Sequence, residues 1–298
     1  MKIYDLIIIG MGPAGMSAAV YAKRNGLEVM LLEKKIPGGL VNNSSEVDNY
    51  LGFPDISGPE LVEKFLYHIK SLDIPYKIKE VINIKIKKNI KKVMTKNEEF
   101  LTKNIIVATG RSPRTLGLPN ELELIGKGIS HCALCDGVFF KNKAIAVVGA
   151  GNSALEETLH LSTLCNKIYL INRNDDLRGD EILQEEIKEK KNIEIIYNSK
   201  VTKINEENGF LRSIEISGKK ELDVSGMFIY VGYEPKIDFI KDKVETNAAG
   251  YIKVNSKFET NIDGIYAVGD IIAKRHYQII VAASDGAKAA INISKKFL

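Results

Sequence analysis

Asp5-Leu6-Ile7-Ile8-Ile9-Gly10-Met11-Gly12-Pro13-Ala14-Gly15 is the stretch that decides the architecture. After Asp5 the run to Ile9 is continuously apolar, as in a parallel strand buried on both faces. Pro13–Asn25 then reads as a helix of small residues, with Gly26 as its stop. Glycine stands at three points of the turn between them. Gly10 makes the tight turn, Gly12 lets the backbone approach a pyrophosphate, and Gly15 lets helix and strand pack closely. A pyrophosphate is expected on the helix N-terminus, where free N–H groups favour an anion. Glu28–Glu33 reads as the next strand, and Glu33 falls near the ~20-residue spacing at which an acid holds a ribose hydroxyl.

The pattern recurs. Ile145–Val148 reads as a strand, Gly149-Ala150-Gly151-Asn152-Ser153-Ala154 as its turn, Asn152–Thr163 as a helix and Lys167–Ile171 as a second strand. Alanine in the third glycine position is an allowed variant. The acidic pair Glu156-Glu157 lies on the helix. This second strand runs into Asn172-Arg173, where an Arg in place of the acid suits a 2′-phosphate and so NADP over NAD. Arg178 reinforces that reading, and Asp175 and Asp176 oppose it. The fold expected is α/β, with two Rossmann-like, three-layer nucleotide-binding domains. Gly58–Leu72 reads as an amphipathic helix, and Glu80–Met94 and Asn104–Ala108 as strands. Lys85, Lys87, Lys88, Lys91 and Lys92 alternate with apolar residues and read as the wet face of two edge strands joined at Lys88-Asn89. Further strands are expected at Ile193–Ile196, Lys200–Asn205, Leu211–Ile216, Met227–Val231 and Ile265–Val268, and a helix from about Tyr277 to Phe297.

Just before the second nucleotide unit stands Cys132-Ala133-Leu134-Cys135-Asp136-Gly137. A Cys-x-x-Cys pair can close a disulfide, and Asp136 is a carboxylate able to move a proton to or from a thiol. Zinc would want two further ligands at short spacing, and only His131 and the distant Cys165 are at hand. Cys165 follows an apolar helix face and reads as a small buried hydrophobe. Of 298 residues 45% are apolar and 27% charged, which fits a globular chain with a normal core. The net charge of +4 is scattered, which argues against nucleic acid. No run approaches the ~20 apolar residues of a membrane helix, and no signal peptide is apparent. With three cysteines the chain is no disulfide scaffold, and a reducing cytoplasmic setting is expected.

Taken in order, these motifs resemble the low-molecular-weight, bacterial-type thioredoxin reductases. The likeness spans the chain. It is carried by Gly10–Gly15, Pro37-Gly38-Gly39, Val47–Pro54, Ala108-Thr109-Gly110, Cys132–Gly137, Gly149–Glu157, Gly264–Asp270 and Gln278 with the helix Ala282–Ala290. The resemblance implies an FAD-binding domain made of residues 1–114 and 241–298, and an NAD(P)-binding-like domain of residues 115–240 that carries the Cys pair and is inserted in the first. It implies FAD held by Gly10, Gly12, Pro13, Ala14, Gly15, Glu33, Gly38, Gly39, Leu40, Asn49, Ala108, Thr109, Gly110, Gly269, Asp270 and Gln278. The nucleotide donor is expected on Gly149, Gly151, Asn152, Ser153, Ala154, Arg173 and Arg178. Cys135 would face the flavin, Cys132 would attack the disulfide of thioredoxin, and Asp136 would be the acid–base. The resemblance also implies a homodimer, and hinges near Arg114–Leu116 and Lys236–Lys241.

The chain departs from the family at three places. The usual His-Arg-Arg-x-x-x-Arg is Asn172-Arg173-Asn174-Asp175-Asp176-Leu177-Arg178, a match at two of four positions. The missing Arg removes a charge-assisted contact of about 1.5–3 kcal/mol. Gly-Gly-Gln is Gly38-Gly39-Leu40, and Tyr277 stands where Arg precedes Gln278. NADPH, or NADH, is the donor expected. Reduced ferredoxin, used by the ferredoxin-dependent flavin thioredoxin reductases, is the alternative. A related FAD-dependent dithiol oxidase, and a non-enzymatic redox sensor, are the competing readings.

Overall fold

The computed structural model describes residues 2–44, 46–87, 89–218 and 220–297, so Lys88 of the expected hairpin turn lies outside the described residues. The chain is α/β and divides into two compact units. One is Met1–Ser112 with Glu234–Leu298; the other is Pro113–Tyr233. The return to the first unit comes at Glu234, ahead of residue 241, because Ile237 and Ile240 are buried in the first unit's core.

The first unit is built on a seven-stranded sheet. Its order is Tyr76–Ile78, Val29–Glu33, Ile3–Ile9, Glu99–Val107, Ile90–Thr95 and Val81–Lys87, with Ile265–Ala267 also paired to Glu99–Val107. The strand Ile3–Ile9 is parallel to both its neighbours, in register Leu6 with Val29 and Leu6 with Asn104. Its two flanking strands lie on opposite sides, which opens a crevice at its C-terminal end where Gly10 begins. The helix Pro13–Arg24 covers one face beside the helix Ile279–Ser294. Small residues let these two helices touch through their backbones: a Cβ on Gly286 would sit 2.0 Å from the Ala14 carbonyl oxygen. The helix Gly58–Ser71 starts at a capping box, in which the Glu60 N–H donates to Ser57 Oγ and the Ser57 N–H to the Glu60 carboxylate.

The two lysine-rich strands pair antiparallel as expected, but Lys91 is not on the wet face. It is 2% exposed, and its ammonium donates to the Lys103 carbonyl at 2.8 Å. Alternation puts Lys91 on the same side of the strand as the buried Val93 and Thr95, and the missing side chain of Gly264 leaves room for the ammonium. Burial holds its basicity below the usual lysine range.

The second unit has a wholly parallel five-stranded sheet in the order Ile193–Ile196, Lys167–Ile171, Ala144–Val148, Gly226–Ile229, Ile129–Ser130. A separate antiparallel meander of Val201–Glu207, Phe210–Ile216 and Lys220–Asp223 closes one face over Leu211, Ile214 and Met227. Helices Asn152–Ser162 and Glu181–Glu189 accompany the sheet. Here too the central strand, Ala144–Val148, has neighbours on opposite sides and ends at the glycine turn.

Gly264→Ala places an L side chain at φ +73°, with its Cβ 3.0 Å from the Lys103 carbonyl and against the Lys91 ammonium. It should cost about 1–2 kcal/mol, read as a lower denaturant midpoint; an unchanged midpoint would show that this turn is not strained.

Candidate active site

In the first unit the glycines divide by role. A Cβ on Gly10 would lie 2.4 Å from the Ala108 carbonyl, and one on Gly15 only 1.9 Å from the Gly10 carbonyl. These two hold the turn together. A Cβ on Gly12 meets nothing within 4 Å, so the backbone there is open to a ligand. Gly39, at φ +59°, comes up beside it: its Cβ would be 3.7 Å from the Gly12 Cα. Pro13 and Ala14 follow in the first helical turn, and Gly38 at φ +113° precedes the single turn Gly39–Asn43 that carries the half-buried Leu40. Glu33 ends its strand with Oε2 accepting the Met11 N–H at 2.8 Å and Oε1 the Lys35 N–H at 3.0 Å. Each oxygen keeps a lone pair for a ribose hydroxyl.

Residues far apart in sequence meet at the same end of the sheet. Asn49 Nδ2 donates to Gln278 Oε1 at 3.5 Å. Ala108 and Thr109 follow the strand Glu99–Val107, with Thr109 Oγ1 donating to the Lys236 carbonyl, and Gly110 takes φ +63°. A Cβ on Gly269 would press on Ala14 at 2.7 Å. Asp270 beside it lies between Arg111 Nε at 3.5 Å and Lys274 Nζ at 3.3 Å. Among the described residues its buried Oδ1 accepts no hydrogen bond. A buried carboxylate oxygen that is ion-paired to Lys274 but accepts no hydrogen bond, next to an open glycine turn, has a lone pair to offer a hydroxyl of a polyhydroxylated dinucleotide such as FAD. Tyr277 does not leave a gap where Arg is usual: the Arg111 guanidinium stacks 4.0 Å over its ring.

The redox pair lies in the second unit. Cys132 and Cys135 are joined to each other. Cys132 caps the short helix Ala133–Asp136, and the Cys135 N–H points at its Sγ at 3.2 Å. A donor aimed at one sulfur stabilises that sulfur as thiolate once the bridge is open. Ser130 organises the rest. Its hydroxyl oxygen accepts the Cys132 N–H at 3.0 Å and lies 2.6 Å from Asp136 Oδ2, to which it donates. Tyr230 Oη accepts the Ala133 N–H at 2.9 Å. Burial, and then the nearby Glu157 charge, push the Tyr230 hydroxyl far above its usual range. Burial, followed by Glu156, also raises Glu157, whose Oε2 is buried without a hydrogen bond among the described residues. Ser130 and Tyr230 were invisible as site residues in sequence, since neither belongs to a motif of chemically reactive groups.

A cleft of about 640 Å³ opens at the second glycine turn. It is lined by Gly149, Gly151, Ser153 and Ala154 from the turn, by Arg173 and Arg178, and by Arg114, His131, Ser199, Lys200 and Tyr230. Gly149 is packed, its Cβ position 2.5 Å from the Tyr230 carbonyl, whereas Gly151 is open. Asn152 faces elsewhere: its Oδ1 accepts the Asp180 N–H at 2.8 Å and so ties the 172–180 loop to the helix start. The Arg178 N–H donates to the Ala150 carbonyl at 2.7 Å. Among the described residues no carboxylate lines the cleft. Asp175 and Asp176, expected to oppose an anion, are exposed outside its lining.

The family model for the pyridine nucleotide-disulphide oxidoreductases matches residues 4–287. Thioredoxin reductase of Bacillus subtilis is 41% identical over 98% of this chain and 94% of its own. The crystal structure of Lactococcus lactis thioredoxin reductase superposes with a TM-score of 0.85 at 39% identity, over 98% of both chains. That of T. acidophilum thioredoxin reductase gives 0.83 at 34% identity, over 100% of this chain and 99% of the other. The chain belongs to the low-molecular-weight thioredoxin reductases. It is therefore an FAD-dependent oxidoreductase of the pyridine nucleotide-disulphide family.

For a thioredoxin reductase the third cysteine is a spectator. Cys165 is buried, lies 3.4 Å from the Phe140 carbonyl, and burial pushes its thiol up to about 11. At pH 8 the group therefore stays in its thiol form. An alkylating thiol reagent should leave the oxidised native enzyme unlabelled at pH 8, and label Cys165 only on unfolding; rapid labelling of Cys165 in the native enzyme would contradict its burial.

Proposed function

We propose that the chain carries electrons from NADPH to thioredoxin, with Cys132 and Cys135 as the exchanging pair and Asp136 as acid–base. The observation that carries the donor assignment is the acid-free cleft of the second unit. Arg114, Arg173, Arg178 and Lys200 line it, and among the described residues none of them is in an ion pair. Uncompensated cations beside an open glycine turn suit a phosphorylated dinucleotide. They favour NADPH over reduced ferredoxin as donor.

Gly10, Gly12, Gly15, Glu33, Gly39, Asn49, Asp270 and Gln278 would hold FAD in the first unit. When bound, FAD supplies the two-electron chemistry that links a hydride donor to a disulfide. Delivery of an electron pair breaks the Cys132–Cys135 S–S bond, and protons complete the dithiol. Cys132 sulfur, stabilised as thiolate by the Cys135 N–H, then attacks one sulfur of the thioredoxin disulfide. A mixed disulfide forms and the first thioredoxin thiolate leaves, taking a proton. Cys135 sulfur attacks Cys132 sulfur, the bridge closes, and the second thioredoxin thiol is released. Asp136 is held by the Ser130 hydroxyl one residue from Cys135, where it can hold or hand over these protons. Leu134, Val138 and Phe139 leave an apolar surface around the pair for a protein partner. The enzyme works as a homodimer in the reducing cytosol, where a dithiol product is kept reduced.

Cys135→Ser should keep its flavin and lose NADPH-dependent thioredoxin reduction, measured as thiol release. Full turnover in that variant would remove the pair from the reaction. Rapid peroxide formation with a dithiol substrate, and no thiol release with NADPH, NADH or reduced ferredoxin, would favour the dithiol oxidase instead.

A further inference from the structure

The 2′-phosphate of a phosphorylated dinucleotide carries close to two negative charges at neutral pH. By the sequence motif this chain meets it with Arg173 and Arg178 alone, since position 174, where a further Arg is usual, is Asn. The fold brings a third cation to the same place from another element. Lys200 follows the strand Ile193–Ile196 and lines the cleft together with Asn172, Arg173, Arg178 and Ser199. Its loop is tied to the arginine loop: the Asn198 N–H donates to the Asn174 carbonyl at 3.0 Å, and the Ser199 N–H to the Asn172 carbonyl at 2.9 Å. On its other side the Lys200 N–H donates to Ser217 Oγ at 3.0 Å, and the Ser217 N–H to the Lys200 carbonyl at 2.9 Å. The backbone of Lys200 is thereby pinned on both flanks. Residue 174 itself, the position that lacks the charge, bonds to the loop that supplies one.

We infer that Lys200 is a specificity-determining residue, which replaces the cation missing at position 174 and selects a 2′-phosphorylated nicotinamide dinucleotide over an unphosphorylated one. This rests on the nucleotide-donor reading above. Lys200 is exposed and has no carboxylate partner among the described residues, whereas the next lysine, Lys203, is paired with Glu215 at 2.9 Å. An ammonium on a flexible stem binds phosphate as a point charge and needs no fork geometry, so it can serve from a neighbouring loop.

The test is calorimetric titration of the FAD-loaded, oxidised enzyme with NADP⁺ and with NAD⁺. Lys200→Met should raise the Kd for NADP⁺ about tenfold, the low end for a charged contact at an exposed position, and so reduce the preference for NADP⁺ over NAD⁺ by the same factor. Lys200→Arg should restore most of it, and Lys203→Met should leave it in place. The inference is overturned if Lys200→Met binds NADP⁺ as wild type does, or weakens NADP⁺ and NAD⁺ equally. Wild-type enzyme that binds neither nucleotide overturns the donor reading, and this inference with it. Wild type that binds NADP⁺ while Lys200→Met changes nothing overturns this inference alone.

Discussion

A strand that turns at once into a helix must leave its first helical N–H groups uncovered if they are to meet an anion. The chain satisfies this constraint twice. At each site one glycine is packed against a carbonyl, Gly10 on Ala108 and Gly149 on Tyr230, while the second, Gly12 or Gly151, faces open space. Side chains at Gly10 or Gly149 would push the turn off the strand; one at Gly12 or Gly151 would fill the room the ligand needs. The crevice exists because the parent strand has its neighbours on opposite sides, and both sheets have that topology.

Between the two turns in sequence lies chemistry that needs a different support. A disulfide that is to be opened and closed repeatedly must keep its sulfurs in place while the bond is absent. The short helix Ala133–Asp136 is secured from outside: Ser130 holds the Cys132 N–H and Asp136, and Tyr230 holds the Ala133 N–H. Tyr230 also lines the cleft at the second glycine turn, so a single residue borders both the helix Ala133–Asp136 and that cleft. These contacts are hydrogen bonds to backbone and carboxylate, and none of them is made by a sulfur atom.

Much of this was legible because glycine turns, strand runs and a Cys-x-x-Cys pair are local signals. The strand Lys167–Ile171 and the helix starting at Asn152 fall where periodicity and the turn place them. What stayed hidden depended on neighbours distant in sequence. Lys91 reads as wet because it is a lysine in a lysine-rich run, yet it lies on the buried side of its strand with Val93 and Thr95, and the space above Gly264 takes its ammonium. Lys200 looks like one more surface lysine until its loop is bonded to residues 172 and 174. Asp175 and Asp176 look hostile to a phosphate beside Arg173, yet the loop turns them away from the cleft. The helix Glu181–Glu189 escaped notice because its residues are mostly charged and only Ile187 is fully buried.

The central claim is that the Cys132–Cys135 bridge accepts the electron pair that the nicotinamide donor brings. An anaerobic titration of the FAD-loaded enzyme with NADPH, quenched by alkylation and followed by mass spectrometry of the peptide around residues 132–135, tests it directly. The account predicts that both cysteines become alkylated in step with NADPH consumed. A flavin fully bleached by NADPH above a bridge that stays closed would contradict it.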